Sequence, residues 1–268
     1  MKYGISSLVF LPETLQSSME KVATNSFDCW EIVSEGSHQL NPKNIKYLRN
    51  LREEYDVDLV IHAPFSDLNP ASMNRDVRNL TTNSIIEAIE GAFELDANVV
   101  TVHPGYLPPL WSDYTKEILD NNFSSLNDIV EMAEDYEVMI GLENMPNYPG
   151  VLGVTIESLK DIIKDINSKY LGITFDIGHA NTATKNPETF VKELNKIGKG
   201  IVHVHIHDNM GTEDEHALIG AGNIDFLKIL SELKDINYDN VLSFESKSIR
   251  DAVNSRETIN KYLSMIEK

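Results

Sequence analysis

The sequence predicts an α/β protein folded as a (β/α)8 TIM barrel, and three observations predict it. Strand-like and helix-like patterns alternate eight times along 268 residues, the size of one such barrel. Alternate positions within the strand-like runs separate into a small or polar set and an apolar set. Seven runs end in a residue able to hold a metal ion: Trp30-Glu31, Ile61-His62, Val102-His103, Leu142-Glu143, Phe175-Asp176, Val204-His205 and Phe244-Glu245. One such ending means little. Parallel barrel strands deliver their tails to a common mouth, however, so a repeated ending builds one site from distant residues.

The first strand is expected near 3–9. Its apolar patch, Ile5 to Leu11, runs into Pro12-Glu13 without a small-residue cleavage site, so it reads as a strand and not as a signal peptide. Further short apolar runs place strands near 28–33, 57–62, 98–103, 137–143, 170–176, 200–207 and 240–245. Longer, charged segments with 3.6-residue periodicity lie between them, among them 78–95, 113–136 and 253–266. Helix starts carry cap signals: Asn41-Pro42 before Ile45, Thr155 before Leu159, and Asn186-Pro187 before Phe190. No low-complexity linker or compositional break interrupts the chain, so a single barrel domain over residues 1–268 is expected.

Strand parity agrees with a barrel. Successive strand residues face opposite sides. Two residues before the terminal donors of the last six runs stand Val60, Thr101, Gly141, Thr174, His203 and Ser243, small or polar residues suited to a crowded interior. The intervening Ile61, Val102, Leu142, Phe175, Val204 and Phe244 suit packing beneath helices. A doubly wound open sheet shows the same alternation but does not so readily gather six strand ends at one place.

Composition narrows the function. Apolar content of 41% supports a sizeable core, and the single Cys29 excludes an internal disulfide and fits a reducing, cytoplasmic setting. No apolar stretch approaches the roughly 20 residues that span a bilayer, so no membrane partner is expected. A formal charge of −19, with only six arginines, repels polyanions and argues against non-specific binding to DNA or acidic membranes. Bound cations can reverse that potential inside a cleft, and much of the excess suits solvated helix faces.

Histidine and carboxylate donors without cysteine suit Zn²⁺, Mn²⁺, Fe²⁺ or Co²⁺. Beyond the run ends, His179 closes Asp176-Ile177-Gly178-His179, while Asp214 and His216 precede a glycine-rich turn. The candidate ligands are then His62, His103, Glu143, Asp176, His179, His205, Asp214, His216 and Glu245. Nine exceed the need of one ion and suffice for two or three with shared carboxylates. Glu143 and Glu245 are the candidate general base and acid. Any one of these residues alone reads equally as a helix cap, a buried hydrogen-bonder or plain surface; repetition over six strands separates the set from chance.

The surrounding residues carry weaker signals. His203 reads as a hydrogen-bonded core residue, His207 as a group orienting a ligand or meeting substrate, and Glu31, further round the mouth, as an outer hydrogen-bonder or substrate contact. Trp111, with Tyr106, Pro108 and Pro109, reads as a sugar-stacking surface or lid, or as a local cluster under a long loop. Met145, Tyr148 and Pro149 follow Glu143 in the same way. Lys247 reads as a contact for a substrate phosphate or as a solvated lysine, and His38 as an exposed loop residue.

The motifs resemble those of the xylose-isomerase-like barrel superfamily, which includes sugar isomerases, epimerases and endonuclease IV. The matching segments are Ile61-His62-Ala63-Pro64, Val102-His103-Pro104-Gly105, Leu142-Glu143-Asn144, Phe175-Asp176-Ile177-Gly178-His179-Ala180, His203-Val204-His205-Ile206-His207-Asp208, His216 through Gly220-Ala221-Gly222-Asn223-Ile224, and Phe244-Glu245. They span nearly the whole chain in family order. The isomerase and epimerase branch implies a single-metal site, often Mn²⁺, on Glu143, Asp176, His205 and Glu245. There the two glutamates move a proton through an enediolate of a sugar or sugar phosphate. The endonuclease branch implies three zinc ions on all nine candidate ligands and an abasic-site phosphodiester in DNA as substrate. A homodimer is compatible with the resemblance to isomerases.

Departures favour the sugar enzyme. The endonucleases usually carry Arg where Glu215 stands, and often Lys or another polar contact residue where Asn209-Met210-Gly211 follows the seventh strand. Their strand-2 loop is polar and basic, whereas Glu31-Ile32-Val33-Ser34-Glu35-Gly36 is acidic. Cations at the rim largely set DNA affinity, so their loss counts against DNA. The expectation is a metal-dependent sugar isomerase or epimerase holding one to three zinc or manganese ions, with the abasic-site endonuclease as the alternative.

Overall fold

The computed structural model describes residues 1–266. Eight parallel strands close a barrel in sequence order: β1 (Lys2–Ser6), β2 (Cys29–Val33), β3 (Asp58–His62), β4 (Val99–Val102), β5 (Met139–Glu143), β6 (Leu171–Asp176), β7 (Ile201–Ile206) and β8 (Val241–Phe244). Around it run α1 (Leu15–Thr24), α2 (Pro42–Tyr55), α3 (Arg75–Glu94), α4 (Thr115–Asp135), α5 (Ile156–Ile163), α6 (Ile177–Thr184), α7 (Pro187–Lys196), α8 (Phe226–Asp235) and α9 (Ile249–Ile266). The expected (β/α)8 barrel is the observed one.

Parity sets the two sides of the wall. Ile61, Val102, Leu142, Phe175, Val204 and Phe244 are fully buried in the layer under the helices. Inside the barrel, the Thr101 and Thr174 hydroxyls meet at 3.0 Å, and Thr174 donates to the Gly141 carbonyl at 3.3 Å. A Cβ at position 141 would lie 2.1 Å from the Thr174 hydroxyl, so only glycine fits there. A register shift between Ile173 and Thr174 sets Asp176 level with His205 on the adjacent strand. That step places an acid beside an imidazole at the mouth.

Several boundaries differ from the sequence reading. The first strand stops at Ser6, and Ser7–Phe10 turns into a 3-10 helix. The Ser7 hydroxyl accepts the Val33 N–H at 2.8 Å, which draws the chain across the barrel end and brings Leu8 to the mouth. Asn41 caps α2 by accepting from Lys43 and Asn44, and Thr155 and Ser158 form a reciprocal box at α5. Asn186 makes no side-chain cap; the Thr189 hydroxyl bonds its carbonyl instead. His38, expected in solvent, is fully buried against the Trp30 ring edge and lies 3.4 Å from the Ser18 hydroxyl.

Candidate metal centre

The strand ends, the first turn of α6 and the β7–α8 connection bring the nine candidate ligands into one centre of three overlapping groups, buried except at the half-buried His103, Asp214 and His216. In the first, His62 Nε2 and His103 Nε2 lie 3.4 and 3.0 Å from Glu143 Oε2. In the second, His205 Nδ1 faces Glu143 Oε1 at 3.1 Å, Asp176 Oδ2 at 3.6 Å and Glu245 Oε1 at 3.7 Å. The third gathers His179 Nε2 and His216 Nε2, 3.3 and 3.0 Å from Asp214 Oδ2. Glu143 belongs to the first two groups. Glu245 joins the second to the third through His216 Nδ1, at 3.5 Å.

Other contacts orient these donors. His62 Nδ1 donates to the Ala63 carbonyl and His179 Nδ1 to the Asn144 carbonyl, both at 2.8 Å, leaving each Nε2 for the centre. Asp176 caps α6 by accepting the His179 N–H at 2.6 Å through Oδ1, which leaves Oδ2 turned to the centre. Beneath the mouth, Glu31 is fully buried and accepts from His205 Nε2 at 2.8 Å, His203 Nε2 at 3.2 Å and the Ser243 hydroxyl at 2.5 Å. It therefore presents the Nδ1 edge of His205 to three carboxylates, an arrangement that orients imidazoles on metals. Glutamine in its place loses one acceptor. Glu31→Gln is expected to weaken Mn²⁺ binding by about 10- to 100-fold. Calorimetric titration checks this, and an unchanged affinity removes Glu31 from any orienting role.

The donor set fits a divalent cation. Glu143 Oε2, Asp176 Oδ2 and Asp214 Oδ1 are buried and have no hydrogen-bond partner among the described residues, despite imidazole nitrogens nearby. Lone pairs that converge without bonding one another are costly when buried, and a shared cation satisfies them. Oxygen and nitrogen donors without sulfur suit zinc or manganese.

Electrostatics follow from this crowding. Burial alone raises the carboxyls of Glu143, Asp176 and Asp214, but the surrounding histidines outweigh it and hold all three well below the usual range. Burial likewise disfavours charged imidazoles. At His179 it is outweighed by Asp176 and Asp214, and at His205 by Glu31, Glu245 and Glu143, so both are held well above the ordinary value. His216 is raised to about 9 by Asp214 and Glu245 against the same burial.

Two pH effects follow. A donor nitrogen must lose its proton to bind metal, so cation uptake at neutral pH releases protons and affinity climbs as pH rises toward 9. The stability that these raised imidazoles give the metal-free fold is complete below about 6.5 and is lost as pH rises through their folded-state values. Chelator-treated protein should thus lose Tm between pH 6.5 and 9.5, whereas metal-loaded protein should not; parallel melting curves contradict this.

A cavity of about 190 Å³ opens onto the centre, lined by Leu8, His62, Phe65, His103, Glu143, Met145, Pro146, His179, Asp214, His216 and Glu245. A larger cavity of about 540 Å³ opens at the strand starts, around Lys2, Asp58, Asn98 and Asp239. Barrel chemistry sits at the strand C-termini, which selects the smaller one. Trp111 and Lys247 do not line it. Trp111 packs edge-on against Tyr114 in a 3-10 segment, Pro109–Tyr114. Glu31 is too deep to meet a substrate. His207 is buried and points at Asp176 and Asp214 rather than into the cavity. Phe65, Leu8 and Pro146 carry no sequence signal of a site, because loop and turn geometry brings them to the mouth. Tyr148 reaches the centre from outside, its hydroxyl accepting the Asp214 N–H at 3.0 Å.

A family model described as xylose isomerase-like TIM barrel matches residues 19–267. An uncharacterized protein of Methanocaldococcus jannaschii is 65% identical over 268 residues, covering 100% of this chain and 91% of its own length. A crystal structure described as a D-tagatose 3-epimerase-like protein superposes with a TM-score of 0.96 at 64% identity, covering 100% of this chain and 98% of that one. A probable endonuclease 4 of Ureaplasma parvum is 28% identical over 202 residues, 70% of this chain and 65% of its own.

Proposed function

The chain belongs to the xylose isomerase-like TIM barrel family, and from that premise we propose that it is a divalent-metal-dependent sugar epimerase or isomerase acting on a ketose through an enediolate. The observation that carries the reading is the convergence of Glu143, Asp176 and Glu245 on His205 Nδ1, at 3.1, 3.6 and 3.7 Å. The 64%-identical structure described as D-tagatose 3-epimerase-like supports it.

Glu143, Asp176, His205 and Glu245 would hold the ion. A divalent cation supplies there the positive charge that acidifies the C–H between a bound carbonyl and its neighbouring hydroxyl. Glu143, kept ionised by the histidines around it, is the carboxylate that takes this proton. Glu245 would enter the cycle protonated and give that proton from the opposite face for epimerisation, leaving Glu143 protonated and Glu245 ionised. Phe65, Met145 and Pro146 wall the cavity and limit access of water to the carbanion. Among the described residues no Lys or Arg lines it, so its charge is set by its carboxylates, its imidazoles and the ions held. With one divalent ion bound, the carboxylates are offset by that ion and by the raised imidazoles of His179 and His216, which suits an uncharged sugar; three ions make the cavity positive.

The test is incubation of the Mn²⁺-loaded protein with a ketose panel, D-tagatose included, in deuterated water. Deuterium entering the carbon beside the carbonyl is expected. No exchange with any ketose, together with nicking of abasic duplex DNA, overturns the reading. That outcome belongs to a second reading, abasic-site phosphodiester hydrolysis, which rests on one observation: the three donor groups together contain all nine ligands implied for a three-zinc endonuclease.

A further inference from the structure

Among the described residues, His103 is the one imidazole of the donor set that is not held by polar contacts on both nitrogens. His62 and His179 each donate Nδ1–H to a backbone carbonyl, and His205 lies between Glu31 and Glu143. His216 Nδ1 faces Glu245. His103 meets only Glu143, through Nε2. Its ring is covered instead by Phe65, stacked on it with centroids 4.7 Å apart and planes 29° from parallel. The same phenyl ring meets the His62 ring edge-on at 5.2 Å.

The group that fixes Phe65 comes from the neighbouring strand. The β2–β3 pairing runs out where the Ser34 N–H bonds the His62 carbonyl at 2.9 Å. Beyond it Pro64 has no N–H to offer, and the chain turns with the Leu68 N–H on the Phe65 carbonyl at 3.2 Å. The Phe65 and Ser66 N–H groups are both accepted by one oxygen, Glu35 Oε1, at 2.7 and 2.6 Å. A carboxylate makes such bonds short and strong, so Glu35 fixes the direction in which the Phe65 side chain leaves the backbone. The ring has somewhere else to go. Phe65, His103 and Met145 line both the 190 Å³ cavity and a second one of about 210 Å³, walled further by Leu68, Pro70 and Ile85.

We propose that Glu35 is a positioning residue of the metal centre: by clamping the turn at Phe65 it seats that ring on His103 and so aims His103 Nε2 at the ion shared with His62 and Glu143. Without the clamp, the phenyl ring turns into the second cavity, and His103 gains rotamer freedom that it must lose again on binding the ion. This role rests on the reading that the first group holds a divalent ion, and it is the same for a sugar or a phosphodiester substrate.

The test uses the full chain and its Glu35→Ala, Glu35→Gln and Phe65→Leu variants, with the double variant Glu35→Ala/Phe65→Leu. Proton NMR of the metal-free chain reads the His103 ring, its signals identified by their absence from His103→Gln. Shielded by the phenyl face in the intact protein, they should move downfield in Glu35→Ala as in Phe65→Leu. Zn²⁺ titration then follows the ion whose binding His62→Ala abolishes. Its affinity should fall about tenfold in Glu35→Ala and in Phe65→Leu, with no further loss in the double variant. Glu35→Gln keeps an acceptor oxygen in place and should bind as the intact protein does. Unmoved His103 signals in Glu35→Ala, or losses that add in the double variant, overturn the proposal. A glutamine variant as weak as the alanine one does so too, because charge and not the clamp would then be the cause. If circular dichroism shows that Glu35→Ala does not fold, Glu35→Asp, shorter by one methylene, takes its place. An intact chain that takes up no zinc contradicts the metal reading, and the His103 signals still decide whether Glu35 seats the ring.

Discussion

Glu143→Gln is expected to lower turnover by a factor of about 10³ and to reduce metal content together with it. Both oxygens of Glu143 are committed: Oε1 faces His205 and His179, and Oε2 faces His62 and His103. A glutamine keeps the shape, but its one carbonyl oxygen cannot serve both groups, and its amide turns a donor toward one of them. The neutral side chain also removes the proton acceptor. Elemental analysis beside a deuterium-exchange assay separates the two losses. Retained activity in this variant would assign proton abstraction elsewhere.

Asp208→Ala should have the largest effect on stability, about 3–5 kcal/mol, because it leaves the partners of a buried carboxylate unpaired. The Asp208 carboxylate accepts the backbone N–H groups of Asn209, Gly220 and Gly222 at 2.9 Å and of Ile224 at 3.4 Å. These bonds gather the glycine-rich turn behind Asp214 and His216. The turn is tight: a Cβ on Gly222 would stand 2.2 Å from the Asp208 carboxylate. Denaturant unfolding measures the loss. Asp208→Asn, which keeps one acceptor oxygen, should lose less, and equal losses would show that acceptor capacity is not what matters.

The barrel was legible because its signals are local and periodic. Two-residue alternation marked the inner set from Val60 to Ser243, and the strand ends marked the donors that the closed sheet brings together. Features depending on contacts between distant segments were not legible. The turn after Ser6 rests on a bond from Val33 to Ser7, and the burial of His38 on Trp30 and Ser18. His207 reads as an orienting group in the strand, since only the fold shows Gly178 opening a seat for it. Trp111 and Lys247 sit on long connections whose direction no periodicity specifies.

One shared cation position at the ends of β5, β6, β7 and β8 underlies the proposed chemistry. Anomalous diffraction from crystals of the Mn²⁺-loaded protein tests it most directly. The prediction is a manganese peak within direct ligand distance of Glu143, Asp176, His205 and Glu245. Manganese bound only at other sites, with these four side chains paired to one another, would contradict it.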